Sequence, residues 1–146
     1  MNYSNEMTLE FESISKNESF ARIVVTAFIT SLDPTLEELS DIKTAVSEAV
    51  TNCIIHGYEN TVGKIKLNCG ILDNTVYIEV SDRGKGIEDI SKAMEPLYTS
   101  KPELERSGMG FAFMEAFMDE LEVKSKIGEG TTVKMRKKIY STASRS

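Results

Sequence analysis

Two runs of alternating apolar residues constrain this chain more than any other feature: Ile65, Leu67, Cys69, Ile71, and then Val76, Ile78, Val80. Strand side chains point to opposite faces in turn, so each run has one apolar and one polar face. Asp73-Asn74 between them has the residue types of a tight hairpin turn. A sheet that is apolar on one side must be covered there, and helices are the available cover. One helix is written plainly. Leu36, Leu39, Ile42, Val46, Ala49, Val50, Cys53 and Ile54 recur at helical spacing, with Thr35 and Glu38 placed as a capping box and Gly57 as the stop.

The other elements follow from the same patterns. Met7, Leu9 and Phe11 alternate with polar residues and predict an opening strand. Asn17 is read as the cap of a helix starting near Glu18. From Phe20 to Leu32 that helix carries more apolar surface than one core-facing stripe needs, so it is either fully buried or shared with a partner. Asp33-Pro34 ends it. A polar, irregular stretch from Arg83 to Ser107 is too long for an ordinary connection and reads as functional. A helix resumes at Gly110, with Phe111, Met114, Phe117, Met118 and Leu121 at helical spacing. The last strands, near Leu121–Ser125 and Thr131–Ile139, are joined by Gly128-Glu129-Gly130. This order predicts an α+β fold, a two-layer sandwich with helices on one face of a mostly antiparallel sheet. Residues 1–140 read as a single domain and 141–146 as a disordered tail.

Charge narrows the function classes. Seventeen Lys+Arg against 23 Asp+Glu give a net charge of −6, without the basic face that direct nucleic-acid binding needs. Cys53 and Cys69 have neither a disulfide framework nor zinc-site spacing and read as buried free thiols of a reducing compartment. The first residues do not read as a signal peptide, and no apolar run approaches the ~20 residues of a membrane span. The expectation is a cytoplasmic protein without a membrane partner.

Four groups of residues carry candidate chemistry. Glu48, Asn52 and His56 lie four apart and form one line up the second helix. A solvated helix face gives the same line, but a carboxylate one turn before a carboxamide also supplies the oxygen ligands a partly hydrated Mg²⁺ accepts. Asp82 has the parity of Val76, Ile78 and Val80. Either the strand carries its carboxylate to the covered face, where a hydrogen-bond donor such as the adenine amine must meet it, or the strand ends at Ser81. Asp82-Arg83-Gly84-Lys85-Gly86 has the form D-x-G-x-G, and glycines without a Cβ allow close approach to a flat ligand. Gly108-Met109-Gly110 opens a helix whose backbone N–H groups suit phosphates. Thr131 has the parity of Val133 and Met135 and points to the covered face.

In this order the four signals resemble the Bergerat-type ATP-binding fold shared by gyrase B subunits, heat-shock chaperones, histidine kinases and mismatch-repair MutL proteins. The resemblance runs from about Thr35 to Ile139. A closer likeness lies in Glu48-Ala-Val-Thr-Asn52, His56-Gly57-Tyr58, the run from Pro96 to Gly110 and the opening run from Asn17 to Arg22. These residues are similar to the small serine kinases that double as anti-sigma factors. The sporulation anti-sigma-F family is the near match, and the general-stress anti-sigma-B kinases are a relative. Cys53 is a departure, since a small residue such as Ala is expected there.

The resemblance implies roles. Asn52 would ligate Mg²⁺ at the ATP phosphates, and Glu48 would orient or deprotonate an acceptor serine. Asp82 would bind the adenine amine, with Thr131 near it, Gly86 beside the base and Gly84 among the nucleotide contacts. Thr99, Ser100, Lys101, Ser107, Gly108, Met109 and Gly110 would contact nucleotide, and Arg106 would face the γ-phosphate. Arg22 would touch a protein partner. The implied cofactors are ATP or ADP with Mg²⁺. The implied partners are a sigma factor, an anti-anti-sigma protein that is also the substrate, and a second copy through the N-terminal strand and helix, residues 1–32. A non-catalytic, nucleotide-dependent sigma-binding module is the alternative. An ATPase clamp would need a transducer domain, and the ATPase half of a histidine kinase a phospho-accepting histidine.

Overall fold

The computed structural model describes residues 2–95 and 110–140. Among them one five-stranded sheet has the order β1-β2-β3-β5-β4. Its strands are β1 (Asn5–Glu12), β2 (Lys64–Leu72), β3 (Thr75–Asp82), β4 (Glu120–Lys126) and β5 (Gly130–Lys138). Every pairing is antiparallel. Asp73 takes a left-handed backbone (φ 55°) and turns the β2–β3 hairpin, with Leu72 opposite Thr75. The register lines up rows across all five strands. Met7, Cys69, Ile78, Met135 and Leu121 form one, and Leu9, Leu67, Val80, Val133 and Val123 the next.

Helices cover that face. α1 (Lys16–Phe28) runs on as a 3₁₀ turn (Ile29–Leu32), α2 (Leu36–Asn52) as a π-helical turn (Cys53–Gly57), and α3 (Ile90–Ala93) and α4 (Gly110–Phe117) follow. α2 packs against both α1 and α4. Ile42, Val46 and Val50 of α2, Val25 of α1 and Met114 of α4 are fully buried with Ile65, Leu67, Ile78 and Val80 of the sheet. Each such side chain contributes roughly 1.5–3 kcal/mol relative to exposure, so this helix–sheet core is a large source of stability. The capping box is formed: Glu38 N–H donates to Thr35 Oγ1 (3.1 Å) and Thr35 N–H to Glu38 Oε1 (2.9 Å). Glu38 also accepts the Tyr140 N–H (2.8 Å), tying the chain beyond β5 to the start of α2.

The α+β two-layer architecture is as the patterns predict, with local corrections. Asn17 is not the cap of α1. It lies in the first turn, Ser15 stands at the cap position, and the Asn17 amide donates to Glu12 O (2.9 Å), anchoring α1 to the end of β1. Leu36 is 86% exposed rather than in the core, because the first residue of α2 overhangs the layer below. Leu121 belongs to β4 rather than α4, since the chain leaves the helix after Phe117 and pairs Leu121 with Met135. The irregular stretch holds a helix, α3, capped by the Asp89 side chain on Lys92 N–H. Phe20 (47%) and Ile23 (64%) of α1 stay exposed, so that helix is not fully buried within the chain. Both cysteines are free and buried. Among the described residues no helix is long and apolar enough to cross a membrane.

Candidate functional site

The next row across the sheet changes character. Phe11 and Ile65 begin it on β1 and β2, and it ends in Asp82, Thr131 and Ser125 on β3, β5 and β4. Alternation therefore carries a carboxylate and two hydroxyls to the covered face, where an apolar residue would otherwise sit. β3 continues through Asp82, which is only 7% exposed. An acid so placed needs donors. Gly84 N–H donates to Oδ1 (2.8 Å). Burial pushes the Asp82 carboxyl above the ordinary carboxylate range, against the pull of the Gly84 N–H. Burial likewise pushes the Cys53 thiol up, and the neighbouring Asp82 charge adds to it.

The hydroxyls brace the next segment. Ser125 Oγ lies 2.8 Å from Thr131 Oγ1, accepts the Ile87 N–H (2.6 Å) and reaches Gly130 O (3.1 Å). Lys85 N–H donates to Gly57 O (3.0 Å) and Gly128 N–H to Lys85 O (2.8 Å). The D-x-G-x-G segment is thus stapled between the π-helical turn and the β4–β5 hairpin. Its glycines approach the protein's own backbone. A Cβ on Gly84 would stand 2.0 Å from Gly57 O, and one on Gly86, whose φ is 82°, 2.4 Å from Lys126 O.

The end of α2 supplies the opposite wall. A Cβ on Gly110 would lie 3.2 Å from either end of the Asn52 carboxamide and 3.3 Å from Glu48 Oε2. Both side chains therefore face the first residue of α4. Asn52 Nδ2 is buried with no hydrogen-bond partner among the described residues, a costly arrangement unless a ligand completes it. Between these walls lies a cavity of about 980 Å³, the size range of small-molecule and cofactor sites. Asn52, Cys53, Asp82, Gly86, Gly110 and Thr131 all line it. A buried acceptor at one end and an amide, a carboxylate and a helix N-terminus at the other suit an elongated ligand with a donor head and an anionic tail.

Of the residues singled out in the sequence, the fold brings Glu48, Asn52, Asp82, Gly86, Gly110 and Thr131 together, with Gly84 beneath them and His56 in the cavity wall. Thr99, Ser100, Lys101, Arg106, Ser107, Gly108 and Met109 lie outside the described residues, as does the tail 141–146. Arg22 is elsewhere. It stands on α1 beside Glu18 (3.9 Å), over a shallow depression shared with Lys43, Thr44 and Ser47 of α2. Two contributors were missed. Ser125 shares the parity of Leu121 and Val123, a signal that was there to read. Gly57 enters the sequence reading as a helix stop and within His56-Gly57-Tyr58, and its contact with Asp82 has no local signature.

Residues 15–137 match the family described as the histidine kinase-like ATPase domain. The Anti-sigma F factor of Caldanaerobacter subterraneus subsp. tengcongensis is 63% identical over 95% of this chain and 97% of its own length. That of Clostridium botulinum (strain Eklund 17B / Type B) is 64% identical over 94% of this chain and 96% of its own. Among solved structures, the RsbU and RsbW domains of a Mycobacterium tuberculosis protein superpose with a TM-score of 0.68 at 20% identity, covering 93% of this chain and 32% of that one. That likeness bears on the fold alone. A sheet, a cavity and near full-length relatives agree: the chain belongs to the histidine kinase-like ATPase family and, within it, to the anti-sigma F factors.

Proposed function

We propose that this chain is an ATP- and Mg²⁺-dependent protein serine kinase that also binds and inhibits a sigma factor of the sigma-F type in the cytoplasm. Its substrate is the anti-anti-sigma protein that displaces sigma, and phosphorylation releases that antagonist. The observation that carries the reading is the pairing of Asp82 at one end of the cavity with Glu48 and Asn52 at the other. Asp82 is a fixed acceptor for the adenine amine. The unpartnered Asn52 Nδ2 suits an acceptor such as a phosphate oxygen, and the Oδ1 of the same amide would hold the Mg²⁺. A metal held there would supply positive charge to the phosphate oxygens.

The chain's own groups do the rest. Glu48 orients the serine hydroxyl and takes its proton as the serine oxygen bonds to the γ-phosphorus and the bond to ADP breaks. The α4 N-terminus at Gly110 and Arg106 stabilise the phosphate charge. A phosphoserine brings a charge of about −1.5 to −2 against a protein that is already acidic, which weakens the product's hold. Exposed Phe20 and Ile23 on α1 support a homodimer through the N-terminal helix, with Arg22 beside them toward the partner.

The test mixes the protein with the candidate antagonist and γ-labelled ATP, with and without Mg²⁺. Label should reach the antagonist only with Mg²⁺, and Glu48→Ala should slow transfer roughly 10²–10⁴-fold. Normal transfer by both Glu48→Ala and Asn52→Ala would overturn the assignment.

A further inference from the structure

Ser125 Oγ on β4 has three polar neighbours, and one arrangement of protons satisfies them all. The Ile87 N–H, at 2.6 Å, can only donate, and Gly130 O, at 3.1 Å, can only accept. A serine hydroxyl has one proton and two lone pairs. Its proton therefore goes to Gly130 O and one lone pair to Ile87. What remains for Thr131 Oγ1, at 2.8 Å, is the second lone pair, so the threonine donates. The single Thr131 proton is committed to Ser125, and its oxygen keeps only acceptor positions. Thr131 pairs with Asp82 across β3 and β5, and both line the cavity together with Ser125.

We infer that Ser125 is a positioning residue that sets the cavity's preference among purines by turning the Thr131 proton away from it. The Asp82 carboxylate and the Thr131 oxygen then both present acceptors, which favours a base edge bearing an amine. A base with a carbonyl oxygen there sets acceptor against acceptor and leaves both unpaired. Without Ser125 the threonine proton can turn into the cavity and meet that carbonyl. The inference rests on reading the cavity as an adenine-nucleotide site. It differs from the bracing of Ile87, which affects every nucleotide alike.

The experiment compares Mg·ATP with Mg·ITP, which carries a carbonyl oxygen in place of the exocyclic amine, by calorimetry on the full chain. Ser125→Ala should lower the ATP/ITP affinity ratio roughly three- to tenfold, and Ser125→Thr, which keeps the hydroxyl, should hold it at the wild-type value. In a Thr131→Val background the same Ser125→Ala change should leave the ratio where it is, because no threonine proton remains to redirect. An unchanged ratio in Ser125→Ala, or an equal fall with Thr131→Val present, overturns the inference while leaving the nucleotide site standing. Thr131→Val alone tests the same point without relying on a folded Ser125→Ala. It removes an acceptor and should lower the ratio, whereas a ratio that holds or rises shows that the threonine does not act as an acceptor and overturns the inference. No ATP binding by the wild type removes the nucleotide reading and this inference with it.

Discussion

Gly57 and Asp82 are in backbone-to-carboxylate contact: a Cβ on Gly57 would stand 2.7 Å from Oδ2 and 3.0 Å from Oδ1 of the acid. The π-helical turn thus fixes where the carboxylate points. Gly57→Ala should displace it and lower adenine-nucleotide affinity by about tenfold or more, which corresponds to one misplaced charge-assisted hydrogen bond. Titration of a fluorescent ATP analogue measures this. Wild-type affinity in Gly57→Ala would mean that the acid can shift without consequence.

The raised pKa of Asp82 has a pH signature. A carboxyl whose pKa lies higher folded than unfolded binds its proton more tightly in the native state. Its ionisation therefore costs stability as pH rises from the ordinary value of 3.8 through the folded pKa, and acidification through that window returns it. The melting temperature of wild type minus that of Asp82→Asn should grow as pH falls through the window. Nucleotide affinity should fall over the same range, because the protonated acid is a poorer acceptor. A difference that stays flat with pH would contradict the burial.

Glu38 separates stability from binding. Its carboxylate closes the capping box on Thr35 and accepts the Tyr140 N–H, far from the cavity. Glu38→Ala should cost about 2 kcal/mol in urea unfolding, combining a lost cap with a lost charged hydrogen bond, and leave ATP affinity unchanged. A parallel loss of affinity would couple the α2 N-terminus to the site.

Much of this was legible because alternation and helical spacing report which face is covered. The rows of Leu9, Leu67, Val80, Val133 and Val123 follow from parity once the hairpin at Asp73 fixes the register. Asp82 and Thr131 were legible for the same reason. What parity cannot convey is contact between elements distant in sequence. Gly57 against Asp82 and Gly84 against Gly57 depend on a π-helical turn that no local pattern announces. Leu36 and Asn17 misled because spacing says nothing about how far a helix end overhangs its layer.

The exposed face of α1 predicts self-association. Ile23→Glu places a charge amid an apolar patch and should shift sedimentation toward monomer without lowering the melting temperature, since Ile23 is 64% exposed. Unchanged sedimentation would place any dimer contact elsewhere.

Calorimetry with Mg·ATP on wild type and Asp82→Asn bears most directly on the cavity as a nucleotide site. The wild type should give saturable heat at one nucleotide per chain, and Asp82→Asn should weaken it by at least tenfold. No heat from the wild type, or equal affinity in the two proteins, would contradict the assignment of that acid to the purine.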